Sequence, residues 1–313
     1  MTSTVVISDA HFGINSSTLL DPKRVDRLFW EIWRYGNGCD EIVLLGDVFD
    51  LWRASLEKAV KDSKYFFDRL FELDVKIVYV IGNHDHHLMV MNQDSWSLER
   101  IARGDFYPIY RANLSWNWEI FEQELEMYYP VYLSSFGGKR VLFTHGHHLN
   151  GIQSFTIQTV TKLRRLVGED VSPADLERMM KYAYEGIHQS VLIEEIVDAE
   201  SYLWGIPSMY EKIKSHICNT FRYTPVERHY DAINKFIKDR NYGNVDCFVY
   251  GDTHKPDIFK RDGGPLAVNS GSWIDEGLML ANCEEISDTY LIINEDGITL
   301  RRLGQKAPMG YTV

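Results

Sequence analysis

TVVISDAH, residues 4–11, is a run of β-branched residues that ends abruptly in a carboxylate and an imidazole two positions apart. An apolar run this short, bounded by polar turn formers, reads as a buried strand with chemistry at its end. The pattern returns four times: EIVLLGD from Glu41, KIVYVIGNHD from Lys76, RVLFTHG from Arg140 and CFVYGDTH from Cys247. Helical spacing fills residues 21–35 and 56–73 between the first three runs, giving β-α-β-α-β. Asp21-Pro22 is a suitable helix start, a capping side chain followed by a first-turn proline. Alternation of this kind predicts an α/β sheet with parallel strands.

Further along, ELEMYYPVYLSSFGGKRVLFTHG reads as a hairpin turning at Gly137-Gly138. More strand-like runs follow His254, with turns at Gly263-Gly264 and Asp296-Gly297, so the chain finishes as a β-meander. Between them the character changes: ADLERMMKYAYEGI and RHYDAINKFIKDR carry helical spacing. The expected organisation is a core of residues 1–150 and 245–313, interrupted by a helical cap over residues 151–244.

With 313 residues, 45% hydrophobic and 25% charged, the chain has ordinary globular composition and enough length for a large core. Its formal net charge of -12 disfavours a polyanionic partner, so no stable nucleic-acid complex is expected. Cys39, Cys218, Cys247 and Cys283 lie far apart without a C-x-x-C pair, which argues for reduced thiols and against a disulfide or zinc-thiolate framework. The N-terminal residues lack a signal-peptide pattern, and no apolar run reaches about 18 residues, so a cytoplasmic location is expected.

His11, His84, His86, His87, His145, His147, His148 and His254 make up most of the 11 histidines, and all fall at the ends of predicted strands. The carboxyl ends of strands are where open α/β sheets bind ligands. Asp9, Asp47, Asn83 and Asp252 add oxygen donors at the same places. On an extended backbone the two side chains of D-x-H point the same way, so Asp9 with His11 and Asp252 with His254 read as two chelating pairs. A donor set of nitrogen and oxygen without thiolate suits Mn, Fe, Zn or Mg.

In their order, SDAHFG, GDVFD, GNHD, THGH and GDTH resemble the motifs of the calcineurin-like metallophosphoesterase family. The resemblance implies a four-layer α-β-β-α sandwich holding two divalent metal ions, here expected to be Mn, that polarise a phosphoryl group and generate hydroxide near neutral pH. By motif position, Asp9, His11, Asp47 and His254 would hold one ion. Asp47 as a bridge, Asn83, His145 and Asp252 would hold the other. His84 would protonate the leaving oxygen, with Asp50 accepting a hydrogen bond from it and fixing its tautomer. Asn83 and His84 would also touch substrate.

Asp252 stands where the family pattern has a histidine, and the extra negative charge implies a preference for manganese and a more alkaline pH optimum. Leu51-Trp52 follows GDVFD where the family's protein phosphatases have Arg-Gly. Taken with the capping insertion, THGHHL and NSGSW, the motifs are most similar to the UDP-2,3-diacylglucosamine hydrolase branch. That likeness implies hydrolysis of a phosphoester or diphosphate in a phosphorylated small molecule or lipid-linked nucleotide. A nuclease or cyclic-nucleotide phosphodiesterase is the alternative, and a non-enzymatic scaffold a third. The basic KLRR at residues 162–165 offers the cap a peripheral membrane contact, although a solvated helix face is the simpler expectation. Trp52 is expected to pack in the core. Tyr182, Tyr184, Tyr202, Trp204 and Tyr210 are expected in the core of the cap, and His86, His87, His147 and His148 at the pocket edge.

Overall fold

A computed structural model describes residues 3–36, 38–106, 113–149, 175, 184–186, 225–275 and 287–312. Strands β1 (Thr4–Ile7), β2 (Glu41–Leu45) and β3 (Lys76–Val80) are parallel neighbours joined by helices α1 (Pro22–Tyr35) and α2 (Leu56–Phe71). Helix α3 (His87–Ala102) leads to the antiparallel pair β4 (Leu114–Ile120) and β5 (Gln123–Tyr129). The hairpin β6 (Val131–Phe136) and β7 (Lys139–Thr144) turns at Gly137-Gly138 as the sequence requires. Then come helix α4 (Val226–Asp239) and strands β8 (Cys247–Tyr250), β9 (Asp257–Lys260), β10 (Leu266–Asn269), β11 (Thr289–Asn294), β12 (Gly297–Arg302) and β13 (Gly310–Thr312).

The strands form two sheets. The first runs β13-β12-β11-β1-β2-β3-β5-β4 and the second β6-β7-β8-β10-β9. Alternation along single strands shows how they stack. Val5, Ile7, Ile42, Leu44, Ile77 and Tyr79 face α1 and α2 in one buried cluster. Their neighbours Val6, Val43, Leu45, Val78 and Val80 face the second sheet's Val141, Phe143, Val249 and Val268 in another. The far side of the second sheet, with Leu142, Phe248 and Ala267, packs on Val226, Tyr230, Ile233 and Phe236 of α4. The result is a mixed α/β fold of two sheets with helices outside each.

Helix α1 starts where Asp21 accepts a hydrogen bond from the Lys23 amide at 3.0 Å, and Val25, Leu28, Phe29 and Ile32 supply its buried stripe. Helix α3, strand β4 and the short strand β13 had no counterpart in the sequence expectation. Helix α3 buries only Leu88, Met89 and Val90 at its start, so it shows no lengthwise apolar stripe. Strand β4 does alternate, with Leu114, Trp116 and Trp118 packed on the core and polar residues between them. Helix α4 lies in the interval assigned to the cap and packs on the second sheet. Of the rest of that interval only 175, 184–186, 225 and 240–244 are described, and KLRR, Tyr182, Tyr202, Trp204 and Tyr210 lie outside the described residues. Cys39 and Cys247 are buried free thiols, and burial pushes the Cys39 thiol up to about 11. Among the described residues no helix is long and apolar enough to cross a membrane.

Glu31 is an acidic residue on the buried face of α1. Its carboxylate accepts hydrogen bonds from the Tyr290 hydroxyl at 3.0 Å, the Gly304 amide at 2.9 Å and Arg27 Nε at 3.1 Å. It thereby ties the helix to strand β11 and to the turn after β12. Glu31→Ala strands the hydroxyl and the amide, and should cost about 2–4 kcal/mol in urea unfolding while metal content in the folded protein stays the same.

Candidate metal centre

The carboxyl ends of β1, β2 and β3 in one sheet and of β7 and β8 in the other meet at one edge of the sandwich. Each strand stops before the residues of interest. Asp9 and His11 lie beyond the end of β1, and Asp252 and His254 beyond the end of β8. All four have left-handed backbones, with φ of 54°, 48°, 63° and 56°, and so does Asp47 at 51°. Strand alternation therefore is not what pairs the aspartate with the histidine. Left-handed turns at alternate positions do so, and each costs about 1 kcal/mol or more for a residue with a Cβ.

Hydrogen bonds between loops hold those turns. The Asp9 amide donates to Gly46 O at 3.0 Å, His11 N to Asp47 O at 2.9 Å, Gly251 N to His145 O at 2.8 Å and Trp273 N to Asp9 O at 3.0 Å. Two motif glycines are explained by close approach. A Cβ on Gly82 would fall 2.2 Å from Asp47 Oδ1, and one on Gly251 would fall 2.4 Å from Asp9 Oδ2.

The side chains converge in buried groups. Asp9, His11 and His254 bring one donor atom each within 4.8 Å of one another, and so do Asp9, Asp47 and His145. His145 Nε2 lies 3.1 Å from Asp47 Oδ2, and His254 Nε2 lies 3.3 Å from Asp9 Oδ1. Opposite ring nitrogens are anchored elsewhere. His145 Nδ1 donates to Leu45 O at 2.9 Å, and His11 Nδ1 sits 3.1 Å from Asp50 Oδ2. Anchoring of this kind leaves each Nε2 lone pair aimed inward, as a metal ligand requires.

Asp50 does double duty. Its other oxygen lies 3.0 Å from His84 Nδ1, so one carboxylate orients two imidazoles. The close group of His11, Asp50 and His84 is accounted for by these contacts.

The charges are lopsided. Burial, the largest single influence, works to raise Asp9 and Asp47, but the surrounding histidines together overcome it, His145 with His254 at Asp9 and His145 with His84 at Asp47, so both stay below the usual carboxylate range. Burial opposes a proton on His145, yet Asp47 and Asp9 push its pKa well above the ordinary value. A proton on this imidazole stands in for positive charge that the carboxylates demand. Asp252 is pushed up to about 6 by burial, against His145 and reinforced by Asp47 and Asp9. The Nε2 atoms of His11 and His145 and the Oδ1 of Asn83 are buried without a hydrogen-bond partner. Unsatisfied inward donors beside excess negative charge fit divalent cations.

Asp252 sits at the margin of this cluster, its Oδ1 3.8 Å from His145 Nε2. His86, His87, His147 and His148 enter none of the close donor groups among the described residues. The His147 and His148 rings meet at 3.9 Å between centroids, tilted by 53°, and burial first, then neighbouring positive charge, holds both well below the ordinary histidine value.

Sequence reasoning overlooked Asp85. Its carboxylate accepts from Val48 N at 2.9 Å, Gly82 N at 2.6 Å and the Tyr79 hydroxyl at 2.6 Å, locking the loops after β2 and β3 together. Burial, with Asp47 adding to it, lifts Asp85 to about 7. The only available signal was its place directly after GNH.

Calcineurin-like phosphoesterase is the family whose model matches residues 2–256, and the chain belongs to that family. No curated protein matches the sequence. Similar solved structures include a dimetal phosphatase from Danio rerio, 13% identical over 99% of each chain with a TM-score of 0.43. A single mutant of Vps29 from Entamoeba histolytica is 13% identical over 96% of this chain and 90% of that one, with a TM-score of 0.39.

Gly82→Ala should push the Asp47 carboxylate out of line and press on the Asp47 backbone nitrogen, 2.5 Å from the new Cβ. Metal analysis of the folded, purified variant is expected to show loss of at least half the bound divalent ion, with some loss of thermal stability. Full metal occupancy would show that the close approach is not needed.

Proposed function

We propose that the protein is a hydrolase with a dinuclear metal centre that cleaves a phosphoester or diphosphate bond. Support comes chiefly from one observation: two groups of buried donors, Asp9–His11–His254 and Asp9–Asp47–His145, share Asp9, and the inward nitrogens of His11 and His145 are unsatisfied. Asp9, His11, Asp47 and His254 would hold one ion, and Asp47, Asn83, His145 and Asp252 the other. Two divalent ions so held supply Lewis-acid polarisation of a phosphoryl group and make an attacking water acidic enough to ionise near neutral pH.

The chain's own residues do the rest. His84 is anchored through Nδ1 on Asp50 and through its backbone amide, which donates to Asp47 Oδ1 at 2.8 Å, so its free Nε2 is the atom that carries a proton to the leaving oxygen. Asn83, adjacent to it, presents an unpartnered Oδ1 and lies within reach of the same space.

Asp252 makes three carboxylates against two divalent ions. That lowers the net charge of the filled centre, favours a hard ion such as manganese and moves the pH optimum upward. The substrate class we favour is a nucleotide- or lipid-linked phosphate or diphosphate, as in the UDP-2,3-diacylglucosamine hydrolase branch. A nuclease or cyclic-nucleotide phosphodiesterase would use the same donors, but a net charge of -12 favours a small substrate over a polyanion.

Two measurements test this reading. His84→Ala should keep both metals yet lose about 100-fold or more on an alkyl phosphoester while retaining most activity on a nitrophenyl ester. Equal rates on the alkyl ester would remove His84 from the chemistry. Asp252→His should shift the preferred ion away from manganese and move the pH optimum downward. A variant that matches the parent in both respects would show that Asp252 is no ligand.

A further inference from the structure

Trp52 was expected as core packing, but its indole lies flat against the imidazole of His84. The ring centroids are 4.0 Å apart and the planes are inclined by 27°. The backbone sets up this stack, because the Leu51 amide donates to His84 O at 3.1 Å and so delivers the next side chain onto the ring. His11 meets His84 edge-on, with centroids 4.7 Å apart at 80°. Tyr184 lies 6.1 Å from the indole, inclined by 33°, and is itself buried. Tyr184 precedes Glu185, whose two carboxylate oxygens both lie 3.1 Å from His87 Nδ1.

A single hydrogen bond from Nδ1 to Asp50 fixes one atom of the His84 ring but leaves the ring free to swing about that bond. A rigid planar group against the ring face removes the swing, and small displacements of a reacting group cost large factors in rate. We propose that Trp52 is a positioning residue for His84, holding the imidazole face so that Nε2 is presented to the leaving oxygen. This rests on the reading of His84 as proton donor. Among the described residues the ring contacts of Trp52 are with His84 and Tyr184, not with the imidazoles assigned to the metals, so its loss should leave the centre assembled.

The stack has a signature independent of turnover. Protons of a ring lying over an indole resonate upfield, so with magnesium or zinc bound the His84 ring protons should be shifted upfield, assigned by their disappearance in His84→Gln. Trp52→Ala should return them to ordinary positions, and Trp52→Phe should retain part of the shift. Kinetically, Trp52→Ala should lose about 10-fold or more on an alkyl phosphoester but less than about 3-fold on a nitrophenyl ester, with Trp52→Phe recovering most of the loss. Metal content measured on each variant separates positioning from damage to the centre.

Unshifted His84 protons in the parent overturn the stack, and equal losses on both esters overturn positioning. Should His84→Ala show the leaving-group bias and Trp52→Ala lack it, the positioning role falls and the proton donor stands. If neither shows it, the proton-donor reading falls and takes the positioning role with it.

Discussion

Asp9 and Asp47 are buried side by side, and no lysine or arginine is paired with either of them in the described structure. Desolvated carboxylates repel one another and resist ionisation. Imidazoles, backbone amides and left-handed turns are ranged around them, and the loops could not keep this shape if the negative charge were left uncompensated. Much of the local architecture follows from that constraint: glycines where the carboxylates come close, buried histidines aimed inward, and a second tier of carboxylates that orients the first.

The second tier distinguishes a metal centre from a chance gathering of polar groups. Asp50 holds His11 and His84 by one oxygen each, while Asp85 gathers two amides and a hydroxyl from both neighbouring loops. Neither residue needs to meet a ligand to matter. Removing either would free side chains or loops that must stay fixed for donors to converge.

The parallel strands were legible in the sequence because buried strands of this kind are short apolar runs, and five of them end beside the candidate donors. That these candidates gather at one edge follows from the same placement at strand ends, whereas the stacking of two sheets was implied only by the family resemblance. The means of convergence was hidden. Alternation predicted a common direction for Asp9 and His11, whereas left-handed φ values at both positions produce the pairing, and nothing in S-D-A-H announces such a backbone. Helix α3 escaped notice because it buries only its first turn, and β4 because its alternation is carried by tryptophans set among polar residues. Trp52 could be read only as a large apolar residue. That its ring faces an imidazole depends on a backbone hydrogen bond between loops 33 positions apart, Leu51 to His84, which no local pattern encodes.

Candidate donors come from both sheets: Asp9, His11, Asp47 and Asn83 follow strands of the first, and His145, Asp252 and His254 follow strands of the second. An ion held between them would act as a rivet through the sandwich at one edge, where the interior apolar layer gives way to polar loops. By mass action the cohesion of the two halves would then rise with free ion concentration. A chelator would loosen the seam from that edge inward, and the protein's resistance to heat or protease would report how much metal its surroundings provide.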